Sequence, residues 1–273
     1  MKKIVNLFIV IILSVLVVMK IDVTFATEVN NIEEDLIIDF RNGGGFIYGE
    51  NLGAYVWGTN YRDGFGRLLF DTSHYEVYTI SSVTEKIPLK NGEKIIDVSM
   101  GNTTLFILTN QNRLLVSGSN DKGQLGFSRD EEVEIYELKD ITGLLPLSGK
   151  KITKVSQGQN HSGVLTEDGN LIMFGSNFYG QLGINDDTKK ENYQPIIINS
   201  YFDLDSDEII TNFELAGYNS LATTSKGRVF SWGYSYSAML GHTTTSNVAK
   251  PLDITQKFSL DSNDYVKDIA TVD

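Results

Sequence analysis

The stretch that decides the fold lies in the middle of the chain, where residues 158–183 read GQNHSGVLTEDGNLIMFGSNFYGQLG. Two short apolar segments, Ser162 to Thr166 and Leu171 to Phe174, flank an Asp-Gly pair at Asp168-Gly169. Asp-Gly between such segments is a strong signal for a tight antiparallel hairpin, because these turns need positive φ angles. A further short apolar segment, Ile152 to Ser156, precedes the hairpin. The sequence therefore predicts three or four short strands in this part of the chain.

The same pattern recurs about every 58 residues along the chain. Four glycines that follow an aromatic or small residue are 60, 57 and 58 residues apart, namely Gly58, Gly118, Gly175 and Gly233. Each is followed eight residues later by a second glycine, namely Gly66, Gly126, Gly183 and Gly241. Several short strands per unit, repeated at a fixed period, predict the blades of a β-propeller or the coils of a β-solenoid.

The repeats divide the chain into units near residues 35–91, 92–148, 149–206 and 207–262, followed by the start of a fifth unit at 263–273. Both Leu36 to Asp39 and Val266 to Ala270 align with the leading strand of the third unit. A ring closed by one strand exchanged between the termini needs that strand only once. We therefore expect a partial or truncated propeller, or an open arc completed by another chain, since repeat units bury their apolar faces only against neighbours. A closed four-bladed ring is the alternative.

The beginning of the chain has the pattern of a secretory signal peptide. Lys2 and Lys3 precede an apolar run from Ile4 to Met19, and small residues lead up to Ala26. This pattern predicts a signal peptide at residues 1–26 and a short linker at 27–34. The alternative is an uncleaved anchor, although the run is shorter than the roughly 20 residues that span a bilayer. We expect a secreted or surface-associated protein with no stable membrane span after cleavage.

Composition narrows the classes of partner and of chemistry. The 273 residues include no Cys, which excludes cysteine chemistry and makes an exported bacterial protein a better fit than a eukaryotic extracellular domain with disulfides. The formal net charge is -12, with 35 acidic and 23 basic residues. That charge has the wrong sign for a phosphate backbone, so nucleic acid is not an expected partner.

The units carry a family resemblance. Gly158, His161-Ser162, Asp168-Gly169, Phe174-Gly175-Ser176-Asn177 and Gly180-Gln181-Leu182-Gly183 resemble the regulator of chromosome condensation repeat. The resemblance extends over about residues 35–273 and implies an all-β propeller, of which four repeat units are visible where family members usually close seven blades. It also implies guanine-nucleotide exchange as a possible function. We regard that function as the least favoured one, because an exported chain would not meet a nuclear GTPase.

No reactive set of side chains recurs with the repeats. His161 occupies a repeat position, where we expect it to make structural hydrogen bonds inside the blade rather than to act as a base. We therefore predict a non-enzymatic protein with no catalytic residues. An extracellular hydrolase or lyase on a propeller scaffold is the alternative, because paired carboxylates can lie far apart in sequence.

One acidic stretch has the spacing of a calcium-binding loop. Asp203, Asp205 and Asp207 are followed by Glu214 at position twelve, but position six is Glu208 where the sharp turn needs Gly. We predict a solvated acidic loop and keep a weak calcium site at the three aspartates as the alternative. No other cofactor is expected.

Aromatic residues just after the repeated glycines are the candidate binding residues, namely Tyr61, Tyr179, Tyr234 and Tyr236. In a propeller these positions line one rim, and aromatic anchors are typical of protein-binding hot spots. Phe65 and Phe178 lie beside them and could instead pack between blades. The sequence thus predicts a binding or scaffold module for an extracellular protein or cell-surface polymer.

Overall fold

The computed structural model describes residues 36–41, 44–59, 76–128, 134–235, 240–241, 246–259, 265–266 and 268–270. In this part of the chain, sixteen strands form four antiparallel sheets of four strands each, joined by short 3-10 turns without any α-helix. The predicted all-β propeller fold is confirmed. None of the described helical segments is long and apolar enough to cross a membrane, and the predicted signal peptide and linker lie outside the described residues.

Each sheet corresponds to one blade and takes its strands in chain order. The first blade contains β1 (Ile37–Arg41), β2 (Gly44–Gly49), β3 (Gly53–Thr59) and β4 (Glu76–Ser82). The second contains β5 (Ile95–Met100), β6 (Thr104–Thr109), β7 (Leu114–Ser119) and β8 (Glu134–Asp140). The third contains β9 (Ile152–Gln157), β10 (His161–Thr166), β11 (Leu171–Ser176) and β12 (Glu191–Ile197). The fourth contains β13 (Ile210–Ala216), β14 (Asn219–Thr224), β15 (Val229–Gly233) and β16 (Val248–Asp253).

Two glycines of the third blade show why the repeat keeps Gly at fixed places. Gly169 has φ +80° in the β10–β11 turn, where its amide donates to the Thr166 carbonyl over 2.9 Å. The Thr166 hydroxyl also donates to Asp168 over 2.6 Å, which fixes the turn. Gly175 has φ +108°, and a Cβ there would lie 2.7 Å from the Asn160 carbonyl oxygen. The glycines are therefore required by turn geometry and by close backbone approach.

The blades are held together by side chains that alternate along the inner strands. In β6, Leu105 and Ile107 pack in the core shared with the first blade, whereas Phe106 and Leu108 pack in the core shared with the third. Successive residues of a strand point to opposite faces, so one strand contributes to two cores.

Three buried apolar cores join the four blades, between the first and second, the second and third, and the third and fourth. Within the described residues no such core joins the fourth blade to the first. In the described residues the four blades thus form an open arc, which is consistent with the predicted partial propeller.

In the second blade, a buried ion pair links the segment before β5 to the turn between β6 and β7. Arg113 Nη1 binds Glu93 Oε2 over 2.7 Å, and its Nε binds Asp140 Oδ2 over 2.8 Å. Burial alone would raise the pKa of Glu93, but hydrogen bonds from the Lys90 amide, the Thr109 hydroxyl and the Arg113 guanidinium lower it. The carboxylate thus stays ionised beside its partner.

The segment after the fourth blade continues the spacing of the leading strands. Lys154 Nζ donates to Asn212 Oδ1 over 2.8 Å, and Asn212 Nδ2 donates in turn to Asp268 Oδ1 over 2.7 Å. Asn212 also accepts from the Phe213 amide, and Asp268 accepts from the Ile269 amide in the same way, both over 2.9 Å. Asp268 therefore accepts a hydrogen bond from the Asn212 side chain in the same way as Asn212 accepts one from the Lys154 side chain.

Candidate functional site

The long loops of the blades meet at one end of the propeller. His161 at the start of β10 pairs with Gly175 near the end of β11, so the loop before β10 and the loop after β11 lie at the same end of the sheet. We call this end the long-loop rim; its described residues are 101–103, 120–128, 158–160, 177–190, 217–218, 234–235, 240–241 and 246–247.

The recurring motif residues build the frame of this rim. In the third blade, Asn177 Oδ1 accepts from the Leu182 amide over 3.0 Å, and Asn177 Nδ2 donates to the carbonyls of Asp186 and Lys189 over 2.8 Å each. Gln181 Oε1 accepts from the Tyr179 amide over 2.8 Å. The polar side chains of the motif therefore satisfy loop backbone and hold the loop in one conformation.

The second blade repeats this frame. Asn120 accepts from the Leu125 amide over 3.0 Å, and Gln124 accepts from the Lys122 amide over 2.8 Å. Asp121 and Lys122 occupy the places that Phe178 and Tyr179 occupy in the third blade. The frame is therefore structural, while the two residues after the Asn vary between blades and are presented at the rim.

Three tyrosines from two blades form an aromatic cluster on the rim. The ring centroid of Tyr179 lies 4.7 Å from that of Tyr218 and 4.7 Å from that of Tyr234, and those two are 6.2 Å apart. All three side chains are half-buried. Phe178 beside them is 51% exposed, and Lys190 Nζ lies 5.9 Å from its ring centroid.

Backbone contacts between the third and fourth blades hold the cluster in place. Across the junction, the Gln159 amide of the third blade donates to the Gly217 carbonyl of the fourth over 2.8 Å, and within the fourth blade the Tyr234 amide donates to the Tyr218 carbonyl over 3.1 Å. Gly180, next to Tyr179, packs so closely on the fourth blade that a Cβ would lie 2.6 Å from the Ala249 Cα. The aromatic surface is therefore carried on a rigid junction, as a recognition surface requires.

The structure brings two of the four predicted binding residues together, Tyr179 and Tyr234. Tyr61 and Tyr236 lie outside the described residues, as does Phe65. The exposure of Phe178 shows that it does not pack between blades. Sequence reasoning missed Tyr218, although its loop aligns with residues 158–160 of the third unit. The pairing of His161 with Gly175 places residues 158–160 at the same end of the sheet as the loop after Gly175.

His161 has a structural position. Its side chain is buried between the third and fourth blades, and its Nε2 lies 3.1 Å from Ser220 Oγ. The Ser220 hydroxyl donates to the Gln181 carbonyl over 2.8 Å. The histidine thus belongs to the interface between the third and fourth blades, where a side chain of the next blade is one of its partners.

The predicted acidic loop lies at the opposite end of the fourth blade, where basic side chains bind it. Lys226 Nζ contacts Asp205 Oδ2 at 2.9 Å and Asp207 Oδ1 at 2.6 Å. The hydrogen bond from Lys226 lowers the pKa of Asp207. Arg228 Nη1 donates to the Asp203 carbonyl over 2.7 Å. Two of the three aspartates therefore already have a cationic partner.

The remaining acids of the calcium-loop pattern also bind within the protein. Glu208 is buried against Arg228, with Oε2 and Nη1 2.9 Å apart. Glu214 lies on β13 and binds Lys154 and the Ser156 hydroxyl of the third blade. The geometry therefore does not bring Glu214 to the aspartates. Among the described residues, no group of three or more His, Cys, Asp or Glu could hold a metal ion.

Comparisons with known proteins agree with this frame. The Regulator of chromosome condensation (RCC1) repeat family matches residues 95–124 and 152–181, which run from the leading strand of a blade to the Gln of its rim motif. The human X-linked retinitis pigmentosa GTPase regulator is 31% identical over 160 residues, covering 59% of this chain and 15% of that protein. Serine/threonine-protein kinase Nek9 of Xenopus laevis is 31% identical over 141 residues, covering 49% of this chain and 14% of that protein.

A solved structure shows the same fold. The crystal structure of yeast RCC1 (Prp20) bound to Kap60 superposes with a TM-score of 0.65 at 19% identity, covering 82% of this chain and 49% of the other. The chain thus spans about half the length of that propeller and a small share of the curated relatives.

The fold and the rim frame define a repeat protein, a partial β-propeller with four described blades. Its second and third blades match the regulator of chromosome condensation (RCC1) repeat family. The activities of the much longer relatives do not follow from this match.

Proposed function

We propose that this protein is a non-enzymatic propeller module that binds a protein or a surface polymer through its long-loop rim, outside the cell. The observation that carries the proposal is the cluster of Tyr179, Tyr218 and Tyr234 on a rigid blade junction. Large, stiff aromatic side chains lose little conformational entropy on binding and dominate the energy of many interfaces.

The chemistry of the repeat positions supports a binding role rather than catalysis. The motif residues Asn177 and Gln181 satisfy loop backbone, and His161 is used at the blade interface. Yeast RCC1 (Prp20), whose structure has this fold, has been crystallised with another protein, Kap60, bound to it. Loops on a rigid scaffold are where binding residues concentrate.

Export rests on the sequence of the first 26 residues, which has the charged start and apolar run of a signal peptide. N-terminal sequencing of the protein recovered from the culture medium should begin near Thr27. A protein that is retained in the cell with its first residues intact would contradict export.

The binding proposal is tested by replacing two cluster residues with Ala, Tyr179→Ala and Tyr218→Ala, each in the mature chain. Capture of partners from extracellular and cell-surface material should weaken by about 2 kcal/mol if the replaced ring is a hot spot. Tyr201→Ala is the matched control, because Tyr201 is 37% exposed in the connection between β12 and β13, at the other end of the blades.

Two results would contradict the proposal. Undiminished capture by both cluster variants would place the site away from this rim. Robust turnover in a hydrolase assay run on the same samples, with no retained partner, would favour the alternative of an extracellular hydrolase or lyase.

A further inference from the structure

Each blade of the arc has two faces, which the three cores distinguish. We call the face toward the preceding blade in chain order the rear face, and the face toward the following blade the forward face. In the third blade, Val155 and Val164 of the rear face pack in the core shared with the second blade. Leu165 and Met173 of the forward face pack in the core shared with the fourth blade. An interior blade therefore buries both of its apolar faces against neighbours.

The rear face of the first blade carries the equivalent apolar positions. Ile47 of β2 pairs with Ile38 of β1 in the same register in which Val164 pairs with Val155. Alternation along the strands places further apolar residues on this face, namely Phe40, Tyr55 and Trp57. Within the described residues, none of these five side chains belongs to a core shared with another blade.

Part of this rear face is open to solvent. Ile38 is 40% exposed and Phe40 is 58% exposed, and both also line the inner cavity of the arc, which the leading strands of all four blades form. Tyr55 and Trp57 are half-buried. A contiguous exposed apolar surface of this kind marks a site of interaction.

Trp57 gives the rear face a flat aromatic surface. Gly45 on the neighbouring strand makes room for its ring, since a Cβ there would overlap the indole. Phe40 stacks beside it, with ring centroids 6.4 Å apart. In the third and fourth blades the Gly45 position is occupied by Ser162 and Ser220, whose hydroxyls each donate over 2.8 Å to the carbonyl of a rim-loop glutamine in the preceding blade. The first blade lacks this hydroxyl, so it lacks the hydrogen bond by which these two blades hold the rim loop of the preceding blade.

The forward face of the fourth blade does not match this apolar surface. Thr223 and Ser231 occupy the positions that Leu165 and Met173 occupy in the third blade. Thr223 is 1% exposed, and its hydroxyl has no hydrogen-bond partner within the described residues. An apolar surface packed on it would leave that hydroxyl unpaired. Copies joined head to tail, first blade against fourth blade, would therefore bury polar groups against apolar ones.

We propose that the rear face of the first blade packs against the same face of a second copy of this chain. Two apolar sheet faces then meet as they do in the three cores of the arc, with the sheets about 10 Å apart. A two-fold axis makes the contact isologous, so that both copies use one self-complementary surface and no third copy can be added through it.

Charge favours this face for contact between copies. The formal net charge of -12 makes two copies repel each other. Ile38, Phe40, Ile47, Tyr55 and Trp57 carry no charge, so a contact through them joins the copies where this repulsion is weakest. The proposal does not depend on the tyrosine cluster, which lies on the third and fourth blades.

Sedimentation velocity of the mature chain over a range of concentrations tests the dimer. We expect a monomer–dimer equilibrium without larger species. Phe40→Glu and Phe40→Lys should each weaken dimerisation about a hundredfold, because two-fold symmetry places two like charges in one apolar contact. An equimolar mixture of the two variants should associate again, since opposite charges then meet. Head-to-tail contact would not produce this recovery, because the altered residue would face the fourth blade.

Two variants serve as controls. Leu144→Glu is the matched control, because Leu144 is 48% exposed in the 3-10 turn between β8 and β9. Leu221→Glu places a charge on the forward face of the fourth blade, and both variants should dimerise like the wild-type chain. Far-ultraviolet circular dichroism confirms that each variant is folded. If the Phe40 variants do not fold, Ile38→Glu and Ile38→Lys repeat the experiment.

Trp57 reports contact at the face itself. In the variant Trp232→Phe it is the only tryptophan that remains of the two in the chain. Its emission should move to shorter wavelength as the dimer forms, because the second copy shields the half-buried ring from water. Dimerisation that leaves this emission unchanged would place the interface elsewhere and overturn the proposal.

Other outcomes also overturn the proposal. A wild-type chain that stays monomeric at millimolar concentration would do so, as would dimerisation that Phe40→Glu leaves unchanged. Loss of association in Leu221→Glu, or a mixture of the Phe40 variants that stays monomeric, would contradict the two-fold arrangement. A monomer in which Trp57 already emits like a buried ring would show that another segment of the same chain covers the face.

Discussion

The two tryptophans of the chain occupy the same repeat position in two blades, and the structure predicts very different consequences of replacing them. Trp232 is fully buried and packs edge-on against Phe202 at 5.5 Å. Its Nε1 donates to the Gln181 carbonyl over 2.9 Å, which ties the fourth blade to the rim loop of the third. Trp57 is half-buried, and Phe40 stacks against it at 6.4 Å.

The cost of Trp232→Phe follows from two losses. The hydrogen bond to Gln181 contributes about 1 kcal/mol, and no more, because the carbonyl still accepts from Ser220. The smaller ring leaves a cavity of roughly 40 Å³, which at about 24 cal/mol per Å³ costs about 1 kcal/mol more. We expect the free energy of unfolding to fall by about 2 kcal/mol. Trp57→Phe should cost less than about 1 kcal/mol, because the ring is half-exposed and its indole makes no hydrogen bond within the described residues.

Denaturant unfolding followed by circular dichroism measures both variants without depending on tryptophan. Since the chain has only these two tryptophans, fluorescence of each variant also reports the environment of the one that remains. The emission of Trp57→Phe, which keeps Trp232, should lie at shorter wavelength than that of Trp232→Phe. Equal destabilisation by the two substitutions would refute the idea that Trp232 stabilises the junction between the third and fourth blades.

Two further predictions concern charged groups. Glu208→Leu leaves the Arg228 guanidinium without its buried partner and should cost about 3 kcal/mol, whereas the double variant with Arg228→Leu should recover part of that loss in denaturant unfolding; a double variant at least as unstable as the single one would contradict this. The second concerns Asp97, whose folded-state pKa of about 6 lies above its ordinary value of 3.8, so its contribution to stability grows as pH falls from about 6.5 to about 4 and is lost as pH rises through 6. The wild-type chain should therefore gain stability relative to Asp97→Asn between pH 7 and pH 5, and a constant difference between the two unfolding curves would show that Asp97 is not perturbed.

The tyrosine cluster shows how much of the proposed binding site the sequence predicts. The position of Tyr179 and Tyr234 after the repeated glycines was enough to place both on one rim. Tyr218 was missed because it lies in a different loop, before β14, and its contact with Tyr179 crosses from one blade to the next. The strand register that joins the two kinds of loop at one end becomes visible only once the hairpins are paired.

The acidic loop shows that residues with the spacing of a binding motif need not lie close together in the fold. Asp203, Asp205 and Asp207 have the spacing of a calcium loop, but β13 carries Glu214 to the inner face of the arc, where it binds Lys154. Glu208, at the position where a calcium loop needs Gly, has a buried carboxylate that pairs with Arg228.

The sequence alone determined the blade, because each blade depends on local interactions. The Asp168-Gly169 turn, the glycine at 175 and the Asn-Gln frame of the rim loop act over a few residues, and they recur with the repeat. A pattern of this kind can be read without knowing what packs against it.

Only the tertiary structure decided what the blades form together. The inner cavity brings Asp39, Asp97, Lys154 and Glu214 together from strands about 58 residues apart, and their environment sets which carboxylate is neutralised and which has a raised pKa. These contacts depend on how neighbouring sheets pack and twist against each other. The physical reason is that burial and charge pairing belong to the space between blades, which no single repeat contains.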